Sequence, residues 1–288
     1  MKIHPAAIVS SAAQIASDVE IGPFSIVESG VEIGSGCQLA GHVIIKEGTT
    51  LGCGTTVLEG AILGGLPQHL SLSAQSGSLV IGQRNTIREH VTVNRALNEG
   101  CTTRIGDDCM LMIGAHVAHD CQVGNQVILT NNVLLGGHVE IHDRACLGGA
   151  SAVHQFCRVG RMSMIGAHAK VIQDVPPFVL TDGDLGMLVG LNRVGLRRAG
   201  FNRAEVVQLK AAYQLIYRRG YSFNEMLEQL EAEFLEGPAA EFLTYFRGGN
   251  NRGFAQERRR PPRAAIRLHR SGEEKERKEN VEPKRAAG

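Results

Sequence analysis

Residues 105–171 read IGDDCMLMIGAHVAHDCQVGNQVILTNNVLLGGHVEIHDRACLGGASAVHQFCRVGRMSMIGAHAKV, and an aliphatic residue returns at every sixth position of this stretch. Upstream, the same phase runs from Ile3 to Leu63 and resumes at Ile81, so that 26 of the 29 in-phase positions are Ile, Leu or Val. A period of six fits neither the 3.6-residue period of a helix nor the continuous alternation of a long strand. The period therefore predicts short strands separated by corners.

The residues around each aliphatic position indicate how the chain turns. Two residues earlier the side chain is small or β-branched, and just after it stands a glycine in eleven repeats. Three six-residue sides close a triangular coil of eighteen residues, and stacked coils lie about 4.8 Å apart, as neighbouring strands do. The pattern predicts an all-β parallel β-helix of hexapeptide repeats. It resembles the left-handed β-helices, an exception to the right-handed preference of crossovers. Four cysteines occupy the small inward position and are predicted to pack there: Cys37, Cys109, Cys121 and Cys157.

Departures from the period divide the chain. We expect the β-helix to span residues 1–186, with loops at 66–78 and 94–104 where the phase is lost and a hinge at 175–186. Residues 187–255 carry helical periodicity and are predicted to form a C-terminal helical domain, because Asn202 with Glu205 and Ser222 with Glu225 have the spacing of capping boxes. Residues 256–288 are charged and poor in core residues, which predicts a disordered basic tail.

Composition excludes several function classes. Lys and Arg number 30 against 29 Asp and Glu, so no strong overall field attracts nucleic acid, and the 5% aromatic content without tryptophan offers few stacking platforms for bases. No apolar run approaches the ~18 residues of a membrane span, and the first residues lack a signal-peptide core. We expect a cytoplasmic protein without nucleic-acid binding or stable membrane insertion. Seven cysteines without a CxxC pair argue against a disulfide framework.

Histidines cluster in the uninterrupted stretch. Residues eighteen apart should stack on neighbouring coils, which places His119 below Gly137 and beside a column that contains Asp120 and His138. An imidazole, with a pKa near ~6.5, can remove a proton from a hydroxyl or an amine at neutral pH when a carboxylate fixes its tautomer. The backbone N–H of Gly137 could stabilise a developing oxyanion. These columns predict acyl transfer by a general base without a covalent enzyme intermediate.

Five segments carry a resemblance to a known family: AHVAHDC at 115–121, NNVLLGGHV at 131–139, SAVHQFCRVG at 151–160, QDVPPFV at 173–179 and GLRRAGF at 195–201. Together they closely resemble the acyl-carrier-protein-dependent UDP-N-acetylglucosamine O-acyltransferases that begin lipid A synthesis. The resemblance covers roughly residues 3–255. It implies transfer of a fatty acyl chain, expected to be 3-hydroxyacyl, from acyl carrier protein to the 3-position of UDP-N-acetylglucosamine. It also implies a homotrimer and no cofactor.

The resemblance implies a role for each matching residue. His119 would be the general base, Asp120 would orient it, and the N–H of Gly137 would hold the oxyanion. Ala167 falls where the family measures acyl length, and because it is bulkier than glycine it implies a shorter chain than in glycine-bearing members. No metal ligand is implied. The residues implied to bind substrate are Gln68, His116, His138, His154, Gln155, Asn192 and Arg198.

The chain departs from the family in its first loop, which reads Pro67-Gln68-His69-Leu70-Ser71 where members usually have Asn-Gln-Asp-Leu-Lys. The loss of an acid and a lysine leaves open an acceptor with a 3-amine, which the same base would convert to an amide. For the acyl donor, an acidic carrier protein, the helical segment offers a docking surface of arginines: Arg197, Arg198, Arg203, Arg218 and Arg219.

Two other function classes stay open at this point. Hexapeptide β-helices also include γ-type carbonic anhydrases, in which histidines from two subunits bind zinc, and here His116, His138 and His154 could serve as ligands. A β-helix can also be a scaffold without catalysis, although the stacked histidines and Asp120 speak against this. The segment contexts and the C-terminal helices favour acyl transfer over both.

Overall fold

Stacked coils of eighteen residues build the molecule. The computed structural model describes residues 2–71, 76–249 and 252–258, and one compact unit ends at Glu257. Ile3 pairs with Ile21, and Leu129 pairs with Leu147, in parallel register. The strands are mostly two residues long because one outward and one inward residue fill each side before the next corner. The predicted left-handed parallel β-helix of hexapeptide repeats with C-terminal helices is confirmed.

Three sheets form the walls of the prism within the described residues. The first sheet contains β1 (Lys2–Ile3), β4 (Glu20–Ile21), β7 (Gln38–Leu39), β10 (Thr56–Val57), β13 (Thr86–Ile87), β16 (Met110–Leu111), β19 (Ile128–Leu129), β22 (Cys146–Leu147), β25 (Met164–Ile165), β27 (Val179–Asp182) and β28 (Met187–Leu191). The second contains β2 (Ile8–Val9), β5 (Ile26–Val27), β8 (Ile44–Ile45), β11 (Ile62–Gly65), β14 (Thr92–Asn94), β17 (His116–Val117), β20 (Leu134–Leu135), β23 (Ala152–Val153) and β26 (Lys170–Val171). The third contains β3 (Gln14–Ile15), β6 (Glu32–Ile33), β9 (Thr49–Leu51), β12 (Ser78–Ile81), β15 (Thr102–Ile105), β18 (Gln122–Val123), β21 (Glu140–Ile141) and β24 (Arg158–Val159).

The corners share one backbone conformation. From Phe24 to Gly60, at Arg84 and His90, and from Asp108 to His168, every sixth residue has a left-handed backbone. This position holds glycine at some corners and a side chain at others, including Asp120 with φ 60° and His138 with φ 58°. Glycine is needed where coils approach closely: a Cβ at Gly136 would lie 2.8 Å from the backbone nitrogen of Gln155. The regular corners keep side chains in vertical columns.

Aliphatic side chains fill the prism. The in-phase Ile, Leu and Val residues from Ile21 to Val171 are buried, and the four cysteines predicted to pack are buried as well. The thiols of Cys109 and Cys121 each donate to a carbonyl of the next coil, at 3.1 Å in both cases. Burial raises the pKa of Cys109 to about 11 and that of Cys121 to about 12. These thiols are protonated packing groups.

Both insertions leave the prism at the same edge. The first connects β11 to β12 and the second connects β14 to β15, so each runs from the second sheet to the third. The predicted bounds were slightly wide, because Ser78, Asn94 and Thr102 pair as strand residues, which leaves insertions at 66–77 and 95–101. Residues 72–75 lie outside the described residues. We call the edge formed by 66–71, 76–77, 95–101, 118–121, 136–139 and 154–157 the loop edge.

The last coil passes into the helices through a hairpin. β27 pairs in parallel with β25 and antiparallel with β28, so strand structure continues to Leu191 across the segment predicted as a hinge. Four helices follow: α1 (Arg193–Arg198), α2 (Arg203–Arg218), α3 (Phe223–Glu233) and α4 (Ala240–Arg247). Both predicted capping boxes, at Asn202 and at Ser222, are confirmed. The sequence analysis missed the short α1.

Arg158 joins the β-helix to the last helix. Its guanidinium donates to Asp174 Oδ2 at 2.8 Å and to the carbonyls of Gly248 and Tyr245 at 2.6 and 3.2 Å. It also lies 4.4 Å from the centre of the Tyr245 ring. Asp174 is fully buried, and burial raises the pKa of its carboxyl. The ion pair with Asp174 thus fixes the guanidinium inside the β-helix, and the two carbonyls tie it to the end of α4. A second contact is the ion pair between Arg161 and Glu241 of α4, at 2.8 Å.

The chain after α4 returns to the β-helix. The carbonyl of Gln256 accepts from the N–H of Leu188, and Glu257 accepts from Arg218 at 2.6 Å and from the hydroxyl of Tyr213 at 3.1 Å. The first residues of the predicted tail 256–288 are therefore packed, since they find partners on β28 and α2. From residue 259 onward that prediction lies outside the described residues. Among the helices that are described, none is long and apolar enough to cross a membrane.

Candidate functional site

The loop edge gathers most of the predicted site residues. Residues 118–121, 136–139 and 154–157 are the corners of three consecutive coils, and the two insertions lie at the levels below them. The carbonyls of His119 and Gly137 accept from the N–H groups of His138 and Phe156, which fixes the corners one above the other. The predicted vertical columns are therefore present.

His119 and Asp120 form a shielded pair. Nδ1 of His119 lies 2.7 Å from Oδ2 of Asp120, and the two side chains are 10% and 11% exposed. The same carboxylate oxygen accepts from the N–H of Leu97 at 3.1 Å, and the N–H of Asp120 donates to Thr103 Oγ1 at 2.8 Å. Because the carboxylate of Asp120 accepts a hydrogen bond from Nδ1–H, the lone pair of a neutral His119 is on Nε2. That nitrogen can take a proton from an acceptor.

Gly137 supports the ring of His119. A Cβ on Gly137 would lie 2.7 Å from Cε1 and 2.8 Å from Nε2 of His119, so the imidazole lies directly against its Cα. Among the described residues, none accepts a hydrogen bond from the N–H of Gly137. Pro5 and Pro23 occupy the same position of the repeat, which shows that the ladder between coils does not use this N–H. A hydrogen-bond donor is therefore available next to the base.

His138 and Phe156 complete an aromatic column. The rings of His119 and His138 meet edge to face at 5.2 Å, and His138 stacks on Phe156 at 4.8 Å. Nε2 of His138 lies 3.8 Å from Oδ2 of Asp120. Burial lowers the pKa of His138, and the charge of Asp120 opposes this shift. Arg252 lies 5.8 Å from the centre of the Phe156 ring.

The other predicted substrate residues on this side surround the pair. His116 stands on β17, with Nδ1 2.8 Å from Thr92 Oγ1, and burial lowers its pKa. His154, Gln155 and Gln68 are exposed along the loop edge. Their side chains are thus available to a ligand that lies over His119.

Three predicted residues lie elsewhere in the chain. Ala167 follows β25 at the edge between the first and second sheets. Arg198 is exposed in the last turn of α1. Asn192 caps α1: its side-chain oxygen accepts from Gly195 N–H at 3.0 Å, and its amide donates to the carbonyl of Met162 at 2.9 Å. One chain does not bring these residues to the loop edge at His119, and their roles stay predictions.

The sequence analysis missed groups that the insertions supply. The ring of His69 meets that of His119 edge to face at 5.7 Å. Leu97 comes from the second insertion and Thr103 directly follows it, and both contact Asp120. A possible signal was the position of both insertions between the second and third sides of the coil, the same step at which His119 stands. The N–H of Leu97 leaves no signal in a side-chain pattern.

The zinc alternative finds little support within one chain. Among the described residues, the group whose ligand atoms come within 4.8 Å of one another is His119, Asp120 and His138. His116 and His154, two of the three histidines proposed as ligands, are not part of it. Nδ1 of His119 and Oδ2 of Asp120 are also only 2.7 Å apart, the spacing of a shared proton.

Two family models match the chain. One, described as Udp N-acetylglucosamine O-acyltransferase, Domain 2, covers residues 174–255. The other, described as bacterial transferase hexapeptide with six repeats, covers residues 12–47 and 102–137. The first model spans the hairpin and the helices, and the second spans part of the prism, including His119, Asp120 and Gly137.

Relatives match over nearly their whole length. An acyl-[acyl-carrier-protein]--UDP-N-acetylglucosamine O-acyltransferase of Anaeromyxobacter sp. (strain K) is 42% identical over 257 residues, which cover 89% of this chain and 100% of the relative. One of Halorhodospira halophila is 44% identical over 88% of this chain and 98% of its own. Among solved structures, LpxA from Acinetobacter baumannii superposes with a TM-score of 0.84 at 35% identity, covering 88% of this chain and 99% of that one. The UDP-N-acetylglucosamine acyltransferase of Francisella novicida gives 0.85 at 32% identity, covering 88% and 94%.

Proposed function

The chain belongs to the acyl-[acyl-carrier-protein]:UDP-N-acetylglucosamine O-acyltransferases, and we propose that His119, Asp120 and Gly137 carry out the reaction of that family in it. The enzyme transfers a fatty acyl chain from acyl carrier protein to UDP-N-acetylglucosamine in lipid A biosynthesis. The position acylated, the 3-hydroxyl, and a 3-hydroxyacyl chain are part of the proposal. So are the cytoplasm as the place of reaction and the absence of a cofactor.

The proposed mechanism uses one proton acceptor and one backbone donor. Nε2 of His119 removes the proton of the sugar hydroxyl while its oxygen attacks the carbonyl carbon of the thioester. A C–O bond forms, and the carbonyl oxygen becomes an oxyanion that accepts from the N–H of Gly137. The intermediate then collapses, the C–S bond breaks, and the thiolate of the carrier takes the proton from His119. Asp120 stabilises the imidazolium between these steps.

A single observation carries this proposal: the imidazole of His119 lies against Gly137, whose N–H has no partner among the described residues, while Asp120 holds Nδ1 at 2.7 Å. The base and the oxyanion donor are therefore adjacent without further movement of the backbone. Burial lowers the pKa values of His116 and His138, which keeps these neighbours neutral near pH 7. These two neighbours therefore add no positive charge beside the pair of His119 and Asp120.

The division of the predicted residues between two edges supports a homotrimer. Ala167 stands at the edge between the first and second sheets, whereas His119 stands at the loop edge on the other side of the second sheet. Apolar side chains are exposed on these walls, with Ile128 at 36%, Ile113 at 40% and Leu134 at 50%. A heterologous contact repeated three times would close a ring. It would bring the first edge of one copy against the loop edge of the next.

The helices offer a basic groove for the acyl carrier protein. A cavity of about 840 Å³ runs along α1 and α2, and no acidic side chain of the described residues lines it. Its basic lining residues are Arg193, Arg197, Arg203, Lys210 and Arg218. Arg197, Arg203 and Arg218 belong to the arginines predicted for docking, while Arg218 is also paired with Glu257. An acidic carrier would gain association rate from such a surface.

The test is a product assay. The purified protein is incubated with UDP-N-acetylglucosamine and a panel of acyl carrier thioesters of different chain length, with and without a 3-hydroxyl, and product masses are read. We expect one acyl group added as an ester, which mild base removes. A His119→Ala variant should lose at least about 1000-fold in rate, because it lacks the base and leaves Asp120 without its partner. Absence of acylated sugar, or full activity of this variant, would refute the proposal.

A further inference from the structure

His69 places a second imidazole beside the base. It comes from the insertion at 66–77, is exposed to solvent, and its ring meets that of His119 edge to face at 5.7 Å. Any acceptor group close enough to lose a proton to His119 therefore lies close to His69 as well. The groups that face this space are His119 and Asp120 from one corner, His138 from the next and His69 from the insertion.

The backbone of Ser71 fixes the tautomer of His69. The N–H of Ser71 donates to Nδ1 of His69 at 3.1 Å. Because Nδ1 is the acceptor in this bond, the hydrogen of the neutral ring is on Nε2. Among the described residues, none accepts from Nε2 of His69. The ring is thus a fixed donor.

A hydrogen-bond donor at Nε2 of His69 would interact differently with a hydroxyl and with an amine as the acyl acceptor. A hydroxyl oxygen accepts from Nε2–H while it gives its own proton to His119. An amine flanked by electron-withdrawing groups titrates near about 8, as an α-amino group does, so near pH 7 most of it is ammonium. An ammonium has no lone pair with which to accept a hydrogen bond from that donor.

We propose that His69 is the residue that selects a hydroxyl over an amine at the acyl acceptor, because its ring stands edge to face with that of His119, beside the reacting position. The inference rests on the proposed function and specifies its acceptor. It assigns His69 to acceptor recognition and leaves proton removal to His119.

The test compares two acceptors across matched variants. The ratio of kcat/KM for UDP-N-acetylglucosamine to that for its 3-amino-3-deoxy analogue is measured at pH 7 with one acyl carrier thioester. His69→Asn keeps an N–H donor without charge, and His69→Asp replaces the donor by a carboxylate that accepts from an ammonium. His42→Asn, at the edge between the first and second sheets, controls for the loss of a corner histidine. All variants are assayed as full chains with folding checked by circular dichroism.

The expected results differ between the two replacements. The ratio should fall about 10-fold or more in His69→Asp, the scale of one hydrogen bond to a charged group, and stay within about 3-fold of wild type in His69→Asn and His42→Asn. Equal ratios in all proteins, or an equal fall in Asp and Asn, would overturn the assignment. If wild type does not acylate UDP-N-acetylglucosamine at all, the proposed function fails instead, so the two failures are distinguishable.

Discussion

A methyl group at Gly137 should displace the catalytic imidazole without removing the oxyanion donor. The Cβ of Gly137→Ala would lie 2.7 Å from Cε1 of His119, whereas carbon atoms need about 3.5 Å, so the ring must move by about 0.8 Å. Misplacement by about 1 Å can cost about 100-fold in rate, and we expect a loss of that size in kcat/KM for UDP-N-acetylglucosamine. The backbone N–H remains in the variant. The loss would therefore measure the position of the base.

Gly149 provides the matched control. It occupies the same position of the repeat, two residues after an in-phase leucine, but a Cβ there would meet its nearest atoms at 3.6 and 3.9 Å, which is ordinary contact. Gly149→Ala should keep wild-type kcat/KM. Because the chain has no tryptophan, unfolding of both variants in urea is best followed by circular dichroism. If Gly137→Ala keeps more than about a third of wild-type activity, the contact with His119 does not position the base.

A proline at position 137 tests the N–H donor of Gly137 separately from the steric effect of an added Cβ. Pro5 and Pro23 stand at this position of the repeat, so the corner accepts the fixed φ of proline. Gly137→Pro has the same Cβ as Gly137→Ala but no N–H. Loss of an oxyanion donor typically costs about 100- to 1000-fold, and Gly137→Pro should be slower than Gly137→Ala by that factor. Equal rates in the two variants would remove Gly137 as the donor.

Four further outcomes follow from other contacts. Asp120→Asn should lower kcat by at least about 100-fold with little change in KM, since the tautomer of the base is no longer fixed. Arg158→Met should lower the free energy of unfolding in urea by about 3 kcal/mol because Asp174 is left buried without its cation, and a loss below about 1 kcal/mol would contradict this role. Dialysis against a chelator should leave turnover unchanged. The double variant Arg203→Glu and Lys210→Glu should raise KM for the acyl carrier thioester about 10-fold at low salt and leave KM for the sugar unchanged. A carrier KM equal to that of the wild type would show that the groove is not the docking surface of the carrier.

The prism could be predicted from the sequence because its fold repeats with a fixed number of residues. Eighteen residues per coil follow from six-residue sides, and once the coil length is known, the positions of His119, Asp120 and Gly137 follow by counting. The capping boxes of α2 and α3 were predictable for a similar reason, since both partners lie within four residues. The β-helix and the helix starts were therefore predictable from periodic and local sequence patterns.

The rest depended on contacts that no period records. The hairpin β27–β28 reads as a proline-rich hinge, because its pairing to β25 appears only when the last coil is in place. The N–H of Leu97 that donates to Asp120 belongs to an insertion whose path depends on the coil beneath it. His69 was noticed as a departure from the family loop, but its position over His119 required the fold of the insertion.

One coil above Gly137, at the same position of the repeat, the N–H of Gln155 also has no partner among the described residues, so the next coil offers a second backbone donor for a rebuilt base. Three substitutions would move the base, the carboxylate and the glycine donor up by one coil: Gly137→His, His138→Asp and Gln155→Gly. The reacting position would then shift by about 4.8 Å along the axis of the prism. The distance along the axis from the base to the level of Ala167, the residue predicted to measure acyl length, would change by the same step. In a β-helix of this kind, moving the base and its donor to another coil would therefore be a way to change the length of the acyl chain that is transferred.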